Sequence, residues 1–176
     1  LYGLDLAADR IRSDGAAVLV EGYLDVIAAH EAGLGNVVAT LGTALTAEQA
    51  RLISRYAQRV VMCYDADSAG SAATGRGVGI TSGVGLEVAV AMLPEGHDPD
   101  SLVRNQGGDA LRDAIETAVP YARYRIERIL SATDMSSLQS RLAAVEAVVE
   151  VVADVAGEVE RAEYVRELAG RLGVDP

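Results

Sequence analysis

Residues 17–25, AVLVEGYLD, contain the pattern that decides the fold of this chain. Four apolar residues are followed by Glu21, a glycine and a segment of helical character. Residues 59–67, RVVMCYDAD, repeat this arrangement, with Asp65 and Asp67 after the apolar run. In open parallel sheets the carboxyl ends of the strands meet at one edge, where ligands bind. The sequence therefore predicts an α/β fold with several carboxylates at that edge.

The order of segments along the chain predicts a mostly parallel, four-stranded sheet flanked by helices. The strands are expected, with helices between them, at residues 17–20, 36–40, 60–64 and 86–92. Thr46 is expected to cap one of these helices, because Gln49 lies three residues later and can complete a capping box. Another helix is expected to begin near Ser68.

Beyond residue 100 the apolar periodicity is helical throughout. Two long segments, 138–155 and 158–172, carry apolar residues at the spacing of one helix face. We expect residues 1–118 to form the α/β domain with an N-terminal lead-in helix. Residues 119–176 are expected to form a small helical bundle.

Composition limits where the protein works. Half of the 176 residues are hydrophobic, which is enough to bury a core. No apolar run reaches the length of a membrane span, and the N-terminus lacks a signal-peptide pattern. Cys63 is the only cysteine, so an internal disulfide is impossible. These features predict a cytoplasmic protein that does not contact a membrane.

The charged residues exclude several chemistries. All basic residues are arginine, so a Walker phosphate loop, a Schiff base and a lysyl-nucleotide intermediate are ruled out. The formal net charge of −11 argues against tight nucleic-acid binding by this chain alone, because phosphate affinity depends on cations. Arg123, Arg125 and Arg128 are interpreted either as a solvated helix face or as a track for phosphates.

Several motifs together resemble the Toprim domain of bacterial DnaG-type primases. They are EGYLD at 21–25, LGT at 41–43, YDADSAG at 64–70 and LPEGHDPD at 93–100. The first and third are shared by other Toprim proteins, whereas the last is more particular to primases. The LYGL sequence at 1–4 is similar to the segment that precedes this domain. The resemblance covers nearly the whole chain, including the helical tail.

The resemblance implies a catalytic-core fragment of a DNA primase, a nucleotidyltransferase that makes short RNA primers for DNA replication. It implies a single-stranded DNA template, ribonucleoside triphosphates and an RNA primer as partners, with Mg²⁺ or Mn²⁺ as cofactor. Contact with the replicative helicase is expected through a domain absent from this chain. The basic upstream half of the catalytic region is also expected to be missing, so the isolated fragment is expected to be weakly active or inactive.

The resemblance also assigns roles to individual residues. Glu21, Asp65 and Asp67 are expected to be catalytic, and Gly22 and Gly70 to lie where the backbone approaches a ligand. Hard divalent cations prefer carboxylate oxygens. The residues expected to hold metal are Glu21, Asp25, Asp65, Asp67, Asp98 and Asp100.

Alternatives remain open at this point. Asp25 fits a first-turn helix charge equally well, and Asp98 and Asp100 also fit a turn and helix cap. The Asp65–Asp67 pair occurs in haloacid-dehalogenase-like phosphatases, but those enzymes need a later lysine. A Toprim-type metal-dependent nuclease and a non-catalytic metal-binding module are the alternative functions.

Overall fold

The computed structural model describes residues 1–42, 45–64, 74–75, 77–81, 83–155 and 157–173. The chain forms two compact units, Leu1–Pro120 and Tyr121–Pro176. The division of the chain into domains at residue 118 stays a prediction. In the described part of the chain, no helix is long and apolar enough to cross a membrane.

The first unit alternates strands with helices. Its strands are β1 (Ala16–Val20), β2 (Val37–Ala39), β3 (Arg59–Met62), β4 (Glu87–Val90) and β5 (Val119–Pro120). Its helices include α1 (Leu4–Asp14), α2 (Tyr23–Glu31), α3 (Ala47–Ile53), α4 (Pro99–Gln106) and α5 (Gly108–Glu116). Residues 77–81 are also helical. The helix expected near Ser68 begins outside the described residues.

The strands form one sheet in the order β2-β1-β3-β4-β5. The pairs β1–β2, β1–β3 and β3–β4 are parallel, so the predicted α/β class and mostly parallel sheet are confirmed. Leu19 of β1 is in register with Val38 on one side and Met62 on the other. β1 therefore lies inside the sheet, where its residues from Ala17 onward are buried, as expected for a strand covered on both faces.

The sheet has five strands rather than the predicted four. β5 pairs antiparallel with β4, bringing Val119 opposite Val90 and Pro120 opposite Ala89. Two residues are too short to show any alternation, so the sequence pattern could not reveal this strand. Its place at the edge of the sheet suits Pro120, which has no backbone N–H to donate to a further strand.

Helix capping follows the sequence closely at α3. The amide N of Gln49 donates to Thr46 Oγ1 at 3.2 Å, and the amide N of Thr46 donates to Gln49 Oε1 at 3.0 Å. This reciprocal capping box satisfies two N–H groups that the helix itself leaves unpaired. The predicted capping box is therefore present.

The second unit consists of α6 (Tyr121–Ser131), α7 (Leu138–Ala153) and α8 (Glu158–Leu172). One apolar cluster holds these helices together, and its members come from all three. Its buried members include Ile126, Val148, Val151, Tyr164, Leu168 and Leu172. The apolar residues whose spacing predicted these helices therefore also form the core of this unit.

Four charged side chains join α6 to α8 on the surface of this unit. Arg171 donates to both oxygens of Glu127, at 2.6 and 3.0 Å. Arg123 likewise donates to both oxygens of Glu167, with its Nη2 at 2.7 Å from Oε2. The hydrogen bonds from Arg171 lower the pKa of Glu127, and those from Arg123 lower the pKa of Glu167.

We expect Glu127→Gln to destabilise the fold at pH 7 by less than about 1 kcal/mol, because the pair is partly exposed and screened by solvent. The folded pKa of Glu127 lies below its unfolded value, about 4.3. The stabilisation is therefore complete above the unfolded pKa and is lost as pH falls through the folded pKa. Urea unfolding at pH 7 and near pH 3 measures both values.

Glu146→Gln is the matched control, since Glu146 is exposed on α7 and outside this network. It should change stability little at either pH. A loss in Glu127→Gln that persists unchanged near pH 3 contradicts the electrostatic explanation.

Candidate functional site

Glu21 lies directly after β1, at the carboxyl edge of the sheet. Its carbonyl oxygen accepts hydrogen bonds from the amides of Leu41 at 3.1 Å and Gly42 at 3.3 Å. Both donors have left-handed backbone angles, with φ of 61° and 68°. A left-handed Leu is uncommon and often marks a constrained functional loop. The loop after β2 is thus tied to the residue that the sequence predicts to be catalytic.

Tyr64 lies after β3 and is close to Glu21. Its side chain is buried, and burial raises the pKa of its phenol; the negative charge of Glu21 raises that pKa further. The register supports this proximity, because Leu19 pairs with Met62 and the chains continue side by side beyond them. Sequence reasoning missed Tyr64, although its position just before Asp65 was a usable signal.

Asp25 lies in the first turn of α2 and is 7% exposed. Its Oδ2 accepts the amide N–H of Gly22 at 3.0 Å, which closes the start of the helix. Its Oδ1 accepts the amide N–H of Asp100 at 3.1 Å, although 75 residues separate the two. The structure therefore brings Asp25 against the start of α4. The resemblance placed Asp25, Asp98 and Asp100 in one site, but it did not predict this hydrogen bond.

Asp98 and Asp100 lie at the start of α4. Asp98 is its N-cap, with Oδ1 accepting the amide N–H of Ser101 at 2.6 Å, so the predicted capping role is observed. Burial acts to raise the pKa of Asp98, but hydrogen bonds from Ser101 outweigh it and the pKa is lowered. Asp100 accepts a hydrogen bond from Arg104 Nε at 2.9 Å.

The remaining predicted site residues are Asp65, Asp67 and Gly70, and all three lie outside the described residues. Gly22 caps α2 in an extended conformation, with φ of −115°. Within the described ranges, no three His, Cys, Asp or Glu side chains are grouped so as to hold a metal ion. The metal-binding roles stay predictions.

Two family models match the chain. The first, described as Toprim-like, covers residues 18–103. The second, described as the DnaB-helicase binding domain of primase, covers residues 122–176. Together they span most of the first unit and nearly all of the second.

The DNA primase of Clostridium acetobutylicum is 39% identical to this chain over 174 residues, covering 99% of the chain. This chain belongs to the bacterial DNA primase family. It spans 29% of the length of that relative, so it corresponds to one part of a longer primase. The resemblance deduced from the motifs is confirmed.

Solved primase structures share the fold. The RNA polymerase domain of the Mycobacterium tuberculosis primase DnaG has a TM-score of 0.81 at 32% identity, covering 96% of this chain and 55% of that one. A DnaG primase catalytic domain bound to single-stranded DNA has a TM-score of 0.73 at 30% identity, covering 96% and 55%. The chain therefore has the fold of part of a DnaG-type catalytic core.

Toprim domains typically bind divalent metals.

The predicted location of the helicase-binding region was wrong. The sequence interpretation placed this region in a domain absent from the chain, whereas the matching family model lies on residues 122–176. The misplacement has a physical reason. The periodicity of α7 and α8 shows that they pack in a bundle, but it carries no information about which partner the bundle contacts.

Gly42 lies in the loop that hydrogen-bonds to the Glu21 carbonyl, and its backbone conformation should affect stability. Gly42 has a φ of 68°, and the space around its Cα is open. Gly42→Ala should therefore destabilise the protein by about 1–2 kcal/mol through backbone strain alone. Thermal and urea unfolding measure the loss.

Gly79→Ala serves as the opposite control, since Gly79 is helical and has open space around it. That change should be neutral or stabilise by up to about 1 kcal/mol. Equal stability of Gly42→Ala and the parent protein would show that the loop relaxes without strain.

Proposed function

We propose that this chain supplies the Toprim part of a primase catalytic core, which makes short RNA primers on a single-stranded DNA template. The supporting observation is that Glu21 lies at the carboxyl edge of the sheet beside Tyr64, in a member of the DNA primase family. The reaction joins the 3′-hydroxyl of the growing RNA primer to the α-phosphate of a ribonucleoside triphosphate, and pyrophosphate leaves. The relatives favour this transfer over the hydrolysis of a Toprim-type nuclease.

The proposed metal-holding residues are Glu21, Asp65 and Asp67, and the proposed cofactor is Mg²⁺ or Mn²⁺. The donor chemistry fits, because carboxylate oxygens are the ligands that hard cations prefer. When bound, such ions lower the pKa of the attacking hydroxyl and neutralise charge on the triphosphate. Tyr64 fits beside Glu21, because a neutral phenol adds no negative charge and burial raises its pKa further.

Asp98 and Asp100 are proposed as further carboxylates of the same metal site, as the sequence predicts, and Asp25 lies against them. Hydrogen bonds from Ser101 lower the pKa of Asp98 and so favour its charged form. We also propose that Gly22 and Gly70 let the backbone approach the nucleotide. At Gly22 space is limited, because a Cβ there would lie 3.2 Å from Asp25 Oδ2.

The proposed partners follow from the matches and from the charge. Residues 122–176 are proposed to contact a DnaB-type replicative helicase, in keeping with the family model that covers them. With a net charge of −11, the chain should hold template DNA only together with a basic region of the complete catalytic domain.

Metal binding is the direct test of the proposed site. We expect millimolar Mn²⁺ to raise the melting temperature of this chain, because a ligand that binds only the folded state stabilises it by mass action. Glu21→Gln should abolish the rise, since the amide keeps the shape but loses the charge. Glu31→Gln, an exposed change at the end of α2, should retain it. An unchanged melting temperature of the parent protein at saturating Mn²⁺ argues against the site.

Catalysis is tested in a complete primase that contains this chain. Asp65→Asn or Asp67→Asn should reduce primer synthesis on single-stranded template by about 100-fold or more, because charge stabilisation at the transferring phosphoryl group is lost. Asp9→Asn is the control, since Asp9 is exposed on α1 and pairs only with Arg12 in the described part of the chain. Circular dichroism verifies folding. Near-normal synthesis by folded Asp65→Asn enzyme contradicts the carboxylate mechanism.

A further inference from the structure

We propose that Asp25 is a positioning residue, whose carboxylate joins the first turns of α2 and α4 and so fixes Asp98 and Asp100 relative to Glu21. This inference rests on the proposed function only in one respect, namely that the carboxylates it positions serve the metal site. The contact itself, from Asp25 to the amides of Gly22 and Asp100, is called the Asp25 bridge below.

The geometry of the Asp25 bridge uses both carboxylate oxygens. Oδ2 accepts the Gly22 amide at 3.0 Å, and Oδ1 accepts the Asp100 amide at 3.1 Å. Both distances lie within the normal range for N–H···O hydrogen bonds. One contact is local to α2, whereas the other crosses to a helix that begins 74 residues later, at Pro99. A residue needed only to cap α2 would require the first contact alone.

Burial makes this arrangement costly to break. Asp25 is 7% exposed, and a buried carboxylate is unfavourable unless hydrogen bonds compensate for its lost hydration. The two bonds here are charge-assisted, and both donors lie in the positive N-terminal turns of helices. The charge of Asp25 is therefore stabilised by two helices at once. Each helix in turn has its start held by the same side chain.

The position of Asp100 is defined from two directions. Its amide is held by Asp25, and its side chain pairs with Arg104 at 2.9 Å. Asp98, two residues earlier, is held as the N-cap through Ser101. The two hydrogen bonds of the Asp25 bridge thus connect this acidic turn to the loop containing Glu21 and Gly22.

Asparagine cannot reproduce the bridge. Its side chain offers one acceptor oxygen and one NH₂ group, and the NH₂ group would face an amide N–H. Asp25→Asn therefore keeps the shape but loses one of the two contacts. Because residues that orient metal ligands typically contribute 10- to 100-fold to metal affinity, we expect Asp25→Asn to weaken Mn²⁺ binding by about 10-fold.

A mutant cycle separates positioning from direct ligation. Mn²⁺ affinity is measured by electron paramagnetic resonance of free Mn²⁺, with Asp25→Asn placed in the parent and in an Asp98→Asn/Asp100→Asn background. Asn is also a good N-cap, so the background should keep α4 intact. If Asp25 acts through Asp98 and Asp100, its change should have no further effect in that background. A full further loss there shows that Asp25 acts on the metal without Asp98 and Asp100, and it overturns the proposal.

A second measurement needs no metal. In the metal-free parent protein, nuclear magnetic resonance should detect a scalar coupling across the hydrogen bond from the Asp100 amide to the Asp25 carboxyl carbon. Asp25→Asn should then shift the Asp100 amide resonance upfield. Asp109→Asn, a change at an exposed aspartate in the first turn of α5, should not.

The outcomes are distinguishable. Absence of the coupling, together with an unmoved Asp100 resonance in Asp25→Asn, overturns the Asp25 bridge. A detected bridge in a parent protein that binds no Mn²⁺ leaves the bridge intact, overturns its role toward the metal and removes the proposed metal site. Should Asp25→Asn fail to fold, the coupling in the parent protein still decides whether the bridge exists.

Discussion

The parallel pairing of β1 with β3 is the constraint on which the site depends. Leu19 is in register with Met62, so Glu21 and Tyr64 leave the sheet at the same level. Side chains alternate between the faces of a sheet, and a slip of one residue would send Glu21 to the opposite side from its present neighbours. Because β1 is buried on both faces, such a slip would also draw the charge of Glu21 towards apolar layers, which is unfavourable without compensation. The acidic groups can appear only where the strands end.

Helix N-termini allow this edge to remain acidic. Asp25, Asp98 and Asp100 all occupy the N-cap or first turn of a helix, where N–H groups lack partners inside the helix. These amides and the positive end of each helix favour carboxylates. Negative charge that a cation could use is therefore held in place by the backbone, and the fold tolerates it within a chain of net charge −11. The same three carboxylates therefore lie at helix N-termini and supply negative charge near the proposed metal site.

The sequence predicted those features that depend on local chemistry. The capping box of Thr46 and the bounds of α8 follow from side-chain type and apolar period. The sequence did not predict β5, which is too short for a period, or the contact of Asp25 with Asp100. A hydrogen bond between residues 75 positions apart depends on where the sheet places two helices, and no local pattern encodes it.

The contacts of the arginines in the second unit bear on whether these side chains could bind phosphates. Arg123, Arg125 and Arg128 fitted either a solvated face or a phosphate track. Arg123 pairs with Glu167, and Arg125 Nη1 lies 3.6 Å from Asp154 Oδ2, so both arginines already face a carboxylate of the same unit. A phosphate would have to displace these carboxylates, which costs part of the binding energy that counterion release supplies. Ion pairs that join helices instead stabilise the surface of a bundle. For Arg123 and Arg125, the solvated helix face is therefore the better interpretation than a track for phosphates.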